Sequence, residues 1–105
     1  MAVDYAAKSE MLRVIAHPVR LMILEDLCQG MKCVTEVEQL LAEVRQPNIS
    51  QHLALLRHCG IVDFQRQGKR RCYFVTNPKM ISALLAILGK EYPPEPLAAI
   101  KQTTG

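Results

Sequence analysis

At Gly60 the apolar pattern of this 105-residue chain changes its period, and that change constrains the fold more than any other feature. Before it, apolar residues recur at three- and four-residue spacing, which buries one face of a helix. After it, Ile61 to Arg66 and Arg70 to Thr76 alternate and read as two strands around the turn Gln67-Gly68-Lys69. Alternation places Tyr73 and Val75 on one side, and Cys72 and Phe74 on the outward side. The expected fold is mainly α with a small β-hairpin.

The helical half divides at its punctuation. Val3, Ala7, Met11, Val14 and Ile15 share a face of a first helix over residues 3–16, which His17-Pro18 stops. Pro18 opens a second helix with Leu21, Leu24, Leu27 and Cys28 on one face, ending at Gly30. Met31 to Val34 reads as a short extended linker, followed by a third helix from Val34 to about Glu43. Pro47 opens a fourth, with Ile49, Leu53 and Leu56 inward and Gly60 as its stop. Beyond the hairpin, Pro78 opens a fifth helix whose stretch from Met80 to Leu88 has Ser82 as its one polar residue. A small domain cannot cover a helix that is apolar all round, so part of it is expected to meet another chain. Residues 1–90 therefore form one domain. Residues 91–105 are a Pro-containing tail with one weak helical turn at LAAIKQ, and it looks dispensable.

Charge is unevenly placed. The chain carries 13 Lys+Arg against 10 Asp+Glu, a net +3. From Arg45 to Arg71 there are Arg45, Arg57, Arg66, Lys69, Arg70 and Arg71 against Asp63 alone, which leaves the remainder net acidic. Such a patch points to a polyanion. The start of the chain does not read as a signal peptide, and the Met80–Leu88 run is too short to span a bilayer. A cytoplasmic protein is expected, with Cys28, Cys33, Cys59 and Cys72 as reduced thiols. No GxGxxG, GxxxxGK or HExxH motif is present, nor a carboxylate pair on an apolar background, so the chain does not read as an enzyme.

Two short helices, the second opening in small polar side chains, followed at once by a basic hairpin, make a winged helix-turn-helix. The fourth helix hides its apolar residues while Gln46, Asn48, Ser50 and Gln51 offer hydrogen-bonding groups to base edges. Its N-terminus directs N–H groups and partial positive charge at phosphate. Arg45, with Arg66, Lys69, Arg70 and Arg71 of the wing, would supply phosphate and minor-groove contacts.

The segments IAHPVRLMIL, CVTEVEQLL, PNISQHLALLRHCGIV and QGKRRCYFVT, with the helix after them, closely resemble the ArsR/SmtB family of bacterial transcriptional repressors. The resemblance runs in order from about Met11 to Leu88. It implies a winged-helix homodimer, paired through its first and last helices, that binds a palindromic operator and leaves it when an inducer binds. Asn48, Ser50 and Gln51 match the family's recognition segment, His52-Leu53 its His-Leu step, and QGKRR its wing. His17 and His52 read as structural.

The effector site departs from the family's known patterns. Where arsenic- and cadmium-type members carry a Cys-Val-Cys-Asp-Leu-Cys run, this chain has Cys33-Val34-Thr35-Glu36-Val37-Glu38 and keeps only the first thiol. The last helix lacks the Asp and His ligands of zinc-type members and the cysteine of persulfide-type members. Cys33 still stands out, because Cys33-x-x-Glu36 fills the slot of a Ser-x-x-Glu capping box, where the helix field favours a thiolate. In a winged helix this segment pairs with the wing's returning strand, which would bring Cys33 towards Cys72. That pair, with Cys28 as a further donor, is the candidate site for a soft metal or metalloid such as As(III), Sb(III) or Cd, or for an oxidant. Cys28 otherwise reads as core and Cys59 as packing at a helix end. Alternatives are a regulator of the same family without metal or thiol sensing, and a winged-helix protein-interaction module.

Overall fold

Local capping sets the helices before any long-range packing. Helix α1 (Tyr5–Ile15) begins where the Asp4 carboxylate accepts the Ala7 N–H at 3.1 Å. Helix α2 (Pro18–Leu27) begins where His17 Nδ1 accepts the Val19 N–H at 3.1 Å, with Pro18 in the first turn, where its missing donor costs nothing. The computed structural model describes residues 2–42 and 48–102. Strand β1 (Lys32–Cys33) and helix α3 (Val34–Leu40) follow, then α4 (Ile49–His58), β2 (Val62–Gln67), β3 (Arg70–Val75), α5 (Pro78–Leu88) and α6 (Leu97–Gln102).

Gly60 ends α4 as the sequence predicts. It takes φ +79°, and the Gly60 and Ile61 N–H groups bond back to Arg57 and Leu56 carbonyls at 2.9 and 3.0 Å, closing a Schellman cap. The chain then enters β2. In the β2–β3 hairpin Gln67 faces Arg70, so the turn is the two residues Gly68-Lys69, with Gln67 already in the strand. Gly68 at φ +67° supplies the positive φ that a two-residue hairpin requires at its first position.

One buried cluster joins the elements. Ile23, Leu24, Val37, Leu53, Leu56, Val62 and Ile81 are at its centre, from α2, α3, α4, β2 and α5. The inward set anticipated for α4, Ile49, Leu53 and Leu56, is buried as a whole. Each such side chain contributes about 1.5–3 kcal/mol of burial. On α1 only Ile15 is buried, while Met11 and Val14 pack at the edge and Val3 stays exposed.

Three features correct the sequence reading. The extended segment before α3 pairs with the returning wing strand as the winged-helix reading expects, and this makes the sheet three-stranded rather than a two-stranded hairpin, in the order β1-β3-β2, all antiparallel. The described residues hold six helices, because the turn at LAAIKQ forms α6. Cys72 does not face outward to solvent: β3 is the central strand, and Cys72 is 1% exposed with Cys33 opposite it in register.

The molecule is extended. Its radius of gyration is 16.8 Å and its extents are 58 × 36 × 21 Å. A compact domain of this length would have a radius of about 13 Å. No described helix is long and apolar enough to cross a membrane.

Candidate nucleic-acid interface

Helix α4 separates its residue types by face. Ile49, Leu53 and Leu56 are buried, and Asn48, Ser50 and Gln51 at its start are exposed. Asn48 occupies the N-cap position, yet its side chain makes no capping bond. The first turn therefore offers open side chains and N–H groups at the positive end of the helix. Arg45 and Gln46 lie outside the described residues.

Helix α4 is held in place by a residue that sequence reasoning missed. Arg20, half-buried on α2, donates from Nη1 to the Val14 carbonyl at 2.8 Å and from Nε to His52 Nδ1 at 3.2 Å. One guanidinium thus ties α1, α2 and α4 together. The His17 and His52 rings lie 4.7 Å apart between centroids, and each accepts a hydrogen bond at Nδ1, His17 from the Val19 N–H and His52 from Arg20. An imidazole that accepts at Nδ1 must be neutral there. Desolvation, with the adjacent His17 and Arg20, holds the His52 pKa below its ordinary 6.5. The available signal was Arg20 three residues after His17, on the helix face that meets the recognition helix.

The wing is fixed at its base and open at its tip. Thr76 Oγ1 lies 2.7 Å from the Gly60 carbonyl oxygen and 3.0 Å from that of Ile61, which joins the end of β3 to the loop after α4. Arg57 Nε donates to Asp63 Oδ1 at 3.0 Å, and the Phe64 N–H donates to the same oxygen at 2.8 Å. These bonds, the Arg57 side-chain bond first, hold the Asp63 carboxyl below its usual range. The one acid of the basic stretch is therefore committed to Arg57, which also stacks 4.3 Å from the Phe64 ring centre. Between α4 and the hairpin base is a cavity of about 540 Å³, lined in part by Ala54, Arg57, His58, Asp63 and Arg71.

Arg66, Lys69, Arg70 and Arg71 are exposed, and none pairs with a carboxylate among the described residues. Arg66 and Arg71 also face each other across the hairpin. Like charges at directly opposed positions destabilise a sheet, so the arrangement favours an external anion.

The thiols are arranged otherwise than anticipated. Strand β1 does pair with β3, in the register Cys33 to Cys72, with Cα atoms 3.7 Å apart, and the two sulfurs form a disulfide. The expectation of four reduced thiols, with Cys33 and Cys72 reaching solvent, is corrected: both are buried and bonded. Cys33 consequently has no thiolate, although Glu36 fills its capping-box place and accepts the Cys33 N–H at 3.1 Å. Cys28 and Cys59, read as core and packing residues, are the free cysteines, half-buried against the cluster. Trivalent arsenic or antimony wants about three thiolates. Among the described residues, with Cys33 and Cys72 joined, no three or more Cys, His, Asp or Glu side chains are gathered where they could hold a metal ion.

A polar recognition-helix start beside an uncompensated basic hairpin, on a tri-helical core, defines a winged helix-turn-helix DNA-binding protein. Comparison with known proteins agrees. The pattern of the family "Bacterial regulatory protein, arsR family" matches residues 17–63. The biofilm growth-associated repressor of Agrobacterium fabrum (strain C58) is 44% identical over 80 residues, 73% of this chain and 68% of that protein. The crystal structure of the transcriptional repressor BigR from Xylella fastidiosa superposes with TM-score 0.66 at 35% identity, covering 79% of this chain and 87% of that one. Reduced HlyU from Vibrio cholerae gives TM-score 0.70 at 30% identity, covering 80% and 90%. The chain belongs to the arsR family of bacterial regulatory proteins. It is a transcriptional regulator by that membership, in line with the reading that it is not an enzyme.

Proposed function

We propose that the protein is a homodimeric repressor that reads a palindromic operator through α4 and is released when the Cys33–Cys72 pair changes its bonding state. The observation that carries the reading is the division of α4: three apolar residues are buried, while Asn48, Ser50 and Gln51 are open beside the unpaired wing cations. In this reading Asn48, Ser50 and Gln51, with Gln46, contact base edges, and Arg45, Arg66, Lys69, Arg70 and Arg71 contact phosphate and the minor groove.

The second chain is supplied by the apolar faces. Ile87 and Leu88 of α5 are 56% and 57% exposed, and Val3, Tyr5 and Leu12 on or beside α1 are exposed as well. Pairing through α1 and α5 covers them and accounts for the extended monomer. Two-fold symmetry then sets two α4 helices about one turn of DNA apart.

The inducer acts at the cysteines. A redox or thiol-exchange signal suits two sulfurs already joined, whereas As(III), Sb(III) or Cd would first need that bond reduced. Gln67 links that bond to the wing tip: its Nε2 lies 3.6 Å from Met31 Sδ, and its Oε1 lies 3.7 Å from Cys72 Sγ.

Fluorescence anisotropy on operator fragments tests the reading. Log affinity should fall with log salt, at a slope of about 0.9 per phosphate neutralised. Gln51→Ala is expected to cost about 1–3 kcal/mol and relax base preference. Arg66→Ala should weaken all sequences alike and lower the slope by about one. Unchanged affinity in both variants overturns the docking reading, and equal operator affinity of the oxidised and reduced protein overturns the inducer reading.

A further inference from the structure

Beside the disulfide is a pocket of about 280 Å³ lined by Cys33, Val34, Thr35, Lys69, Arg70 and Arg71. It places one sulfur-bearing residue among three cations, and Glu36, the acid nearest in sequence, has its carboxylate engaged by the Cys33 N–H. The two cysteines are not equivalent there. Cys33 lines the pocket and is 7% exposed, whereas Cys72 lines no part of it and is 1% exposed.

We infer that this pocket is an exchange site for small anionic thiols, which it gathers by charge and directs onto the Cys33 sulfur. The inference deepens the functional reading above, since it names the class of molecule that acts on the same disulfide. The anionic groups of the incoming thiol sit against Lys69 and Arg70, while the Arg71 guanidinium stays 5.0 Å from the Phe64 ring centre. The incoming thiolate attacks Cys33 Sγ. A new S–S bond forms between the small molecule and Cys33 as the Cys33–Cys72 bond breaks. The electron pair of the broken bond leaves on Cys72 Sγ, which takes up a proton from solvent. No other oxidant or reductant is needed. The resulting Cys72 thiol has the Gln67 Oε1 acceptor already 3.7 Å away, so the leaving group has a partner in its buried position.

Position gives the adduct a consequence. A molecule tethered to Cys33 carries its negative charge among wing cations that otherwise face DNA. One event both opens the β1–β3 crosslink and neutralises part of the phosphate-binding surface.

The test uses the full-length, DNA-free, disulfide-bonded protein and thiols of differing charge. Glutathione and mercaptosuccinate are the anionic probes, 2-mercaptoethanol the neutral one and cysteamine the cationic one. Rates are compared per thiolate, after correction for each thiol's own nucleophilicity. A focused positive site is expected to favour the anionic probes over the neutral by about tenfold or more, with cysteamine slowest. That preference should shrink in high salt, and Lys69→Gln or Arg70→Gln should reduce it. Thr35→Glu, which leaves the cations in place and adds an acid at the rim, should reduce it too. Mass mapping should find the adduct on Cys33. Rates that ignore probe charge, or an adduct on Cys72, overturn the inference. Because exchange is measured without DNA, charge-selective exchange at Cys33 supports the site even if the adduct binds operator as tightly as the unmodified protein. That last result would overturn only the release step of the functional reading.

Discussion

Helices α4 and α5 are of similar length, ten and eleven residues, and each begins after an asparagine, yet they present opposite surpluses. Asn77 caps α5 by accepting the Met80 N–H at 3.1 Å, whereas Asn48 makes no such bond. Helix α4 buries Ile49, Leu53 and Leu56 and presents polar groups, while α5 buries only Ile81 and keeps Ile87 and Leu88 exposed. The difference teaches that one domain can carry two unfinished surfaces of unlike chemistry. An open polar helix start suits a nucleic acid, and an open apolar stripe suits a second copy of the chain.

The sharpest way to break the comparison is to truncate each helix on its own side. Leu53→Ala, at a position with no exposure, should cost about 2–5 kcal/mol in urea or guanidinium unfolding. Ile87→Glu with Leu88→Glu should leave the monomer fold intact by circular dichroism and move the sedimentation coefficient to that of a monomer. Folding lost at equal cost in both cases would end the distinction between core and interface helix.

The two asparagines give the next largest contrast. Asn77→Ala should lower stability by about 0.5–2 kcal/mol, the usual cost of a lost N-cap. Asn48→Ala should leave the melting temperature nearly unchanged and weaken operator binding in anisotropy. The smallest effect concerns the seat of α4. Native His52 has its pKa below 6.5, so the unfolded chain binds more protons as pH falls under that value. Stability should therefore be fully present above pH 6.5 and decline as pH falls through the folded pKa. A His52→Gln variant should flatten that decline, and an unchanged slope in pH-dependent urea titrations would remove the assignment.

Much of this arrangement was legible in the residues. The period change at Gly60, the inward triplet of α4 and the basic turn are local patterns, and each governs the next few residues directly. The pairing of Cys33 with Cys72 was reachable only through the expected course of a winged helix, and their exposure was misjudged. A strand read alone does not show what lies across from each side chain, whereas in the sheet Cys72 meets Cys33 directly opposite it and is bonded to it. Arg20 left only its three-residue spacing from His17 as a local sign, since its partners Val14 and His52 come from helices on either side of it and His52 is 32 residues away.

The sequence by itself determined that α2 and α5 begin at Pro18 and Pro78, that α4 stops at Gly60, which α4 residues go inward and where positive charge accumulates. These follow from side-chain periodicity, cap chemistry and the left-handed backbone of Gly60 and Gly68. Tertiary structure alone decided that the Cys33 and Cys72 thiols are buried and joined as one disulfide, and that Arg20 seats the recognition helix. Those outcomes depend on distances between segments far apart in the chain, and only the packed core brings such segments within bonding range.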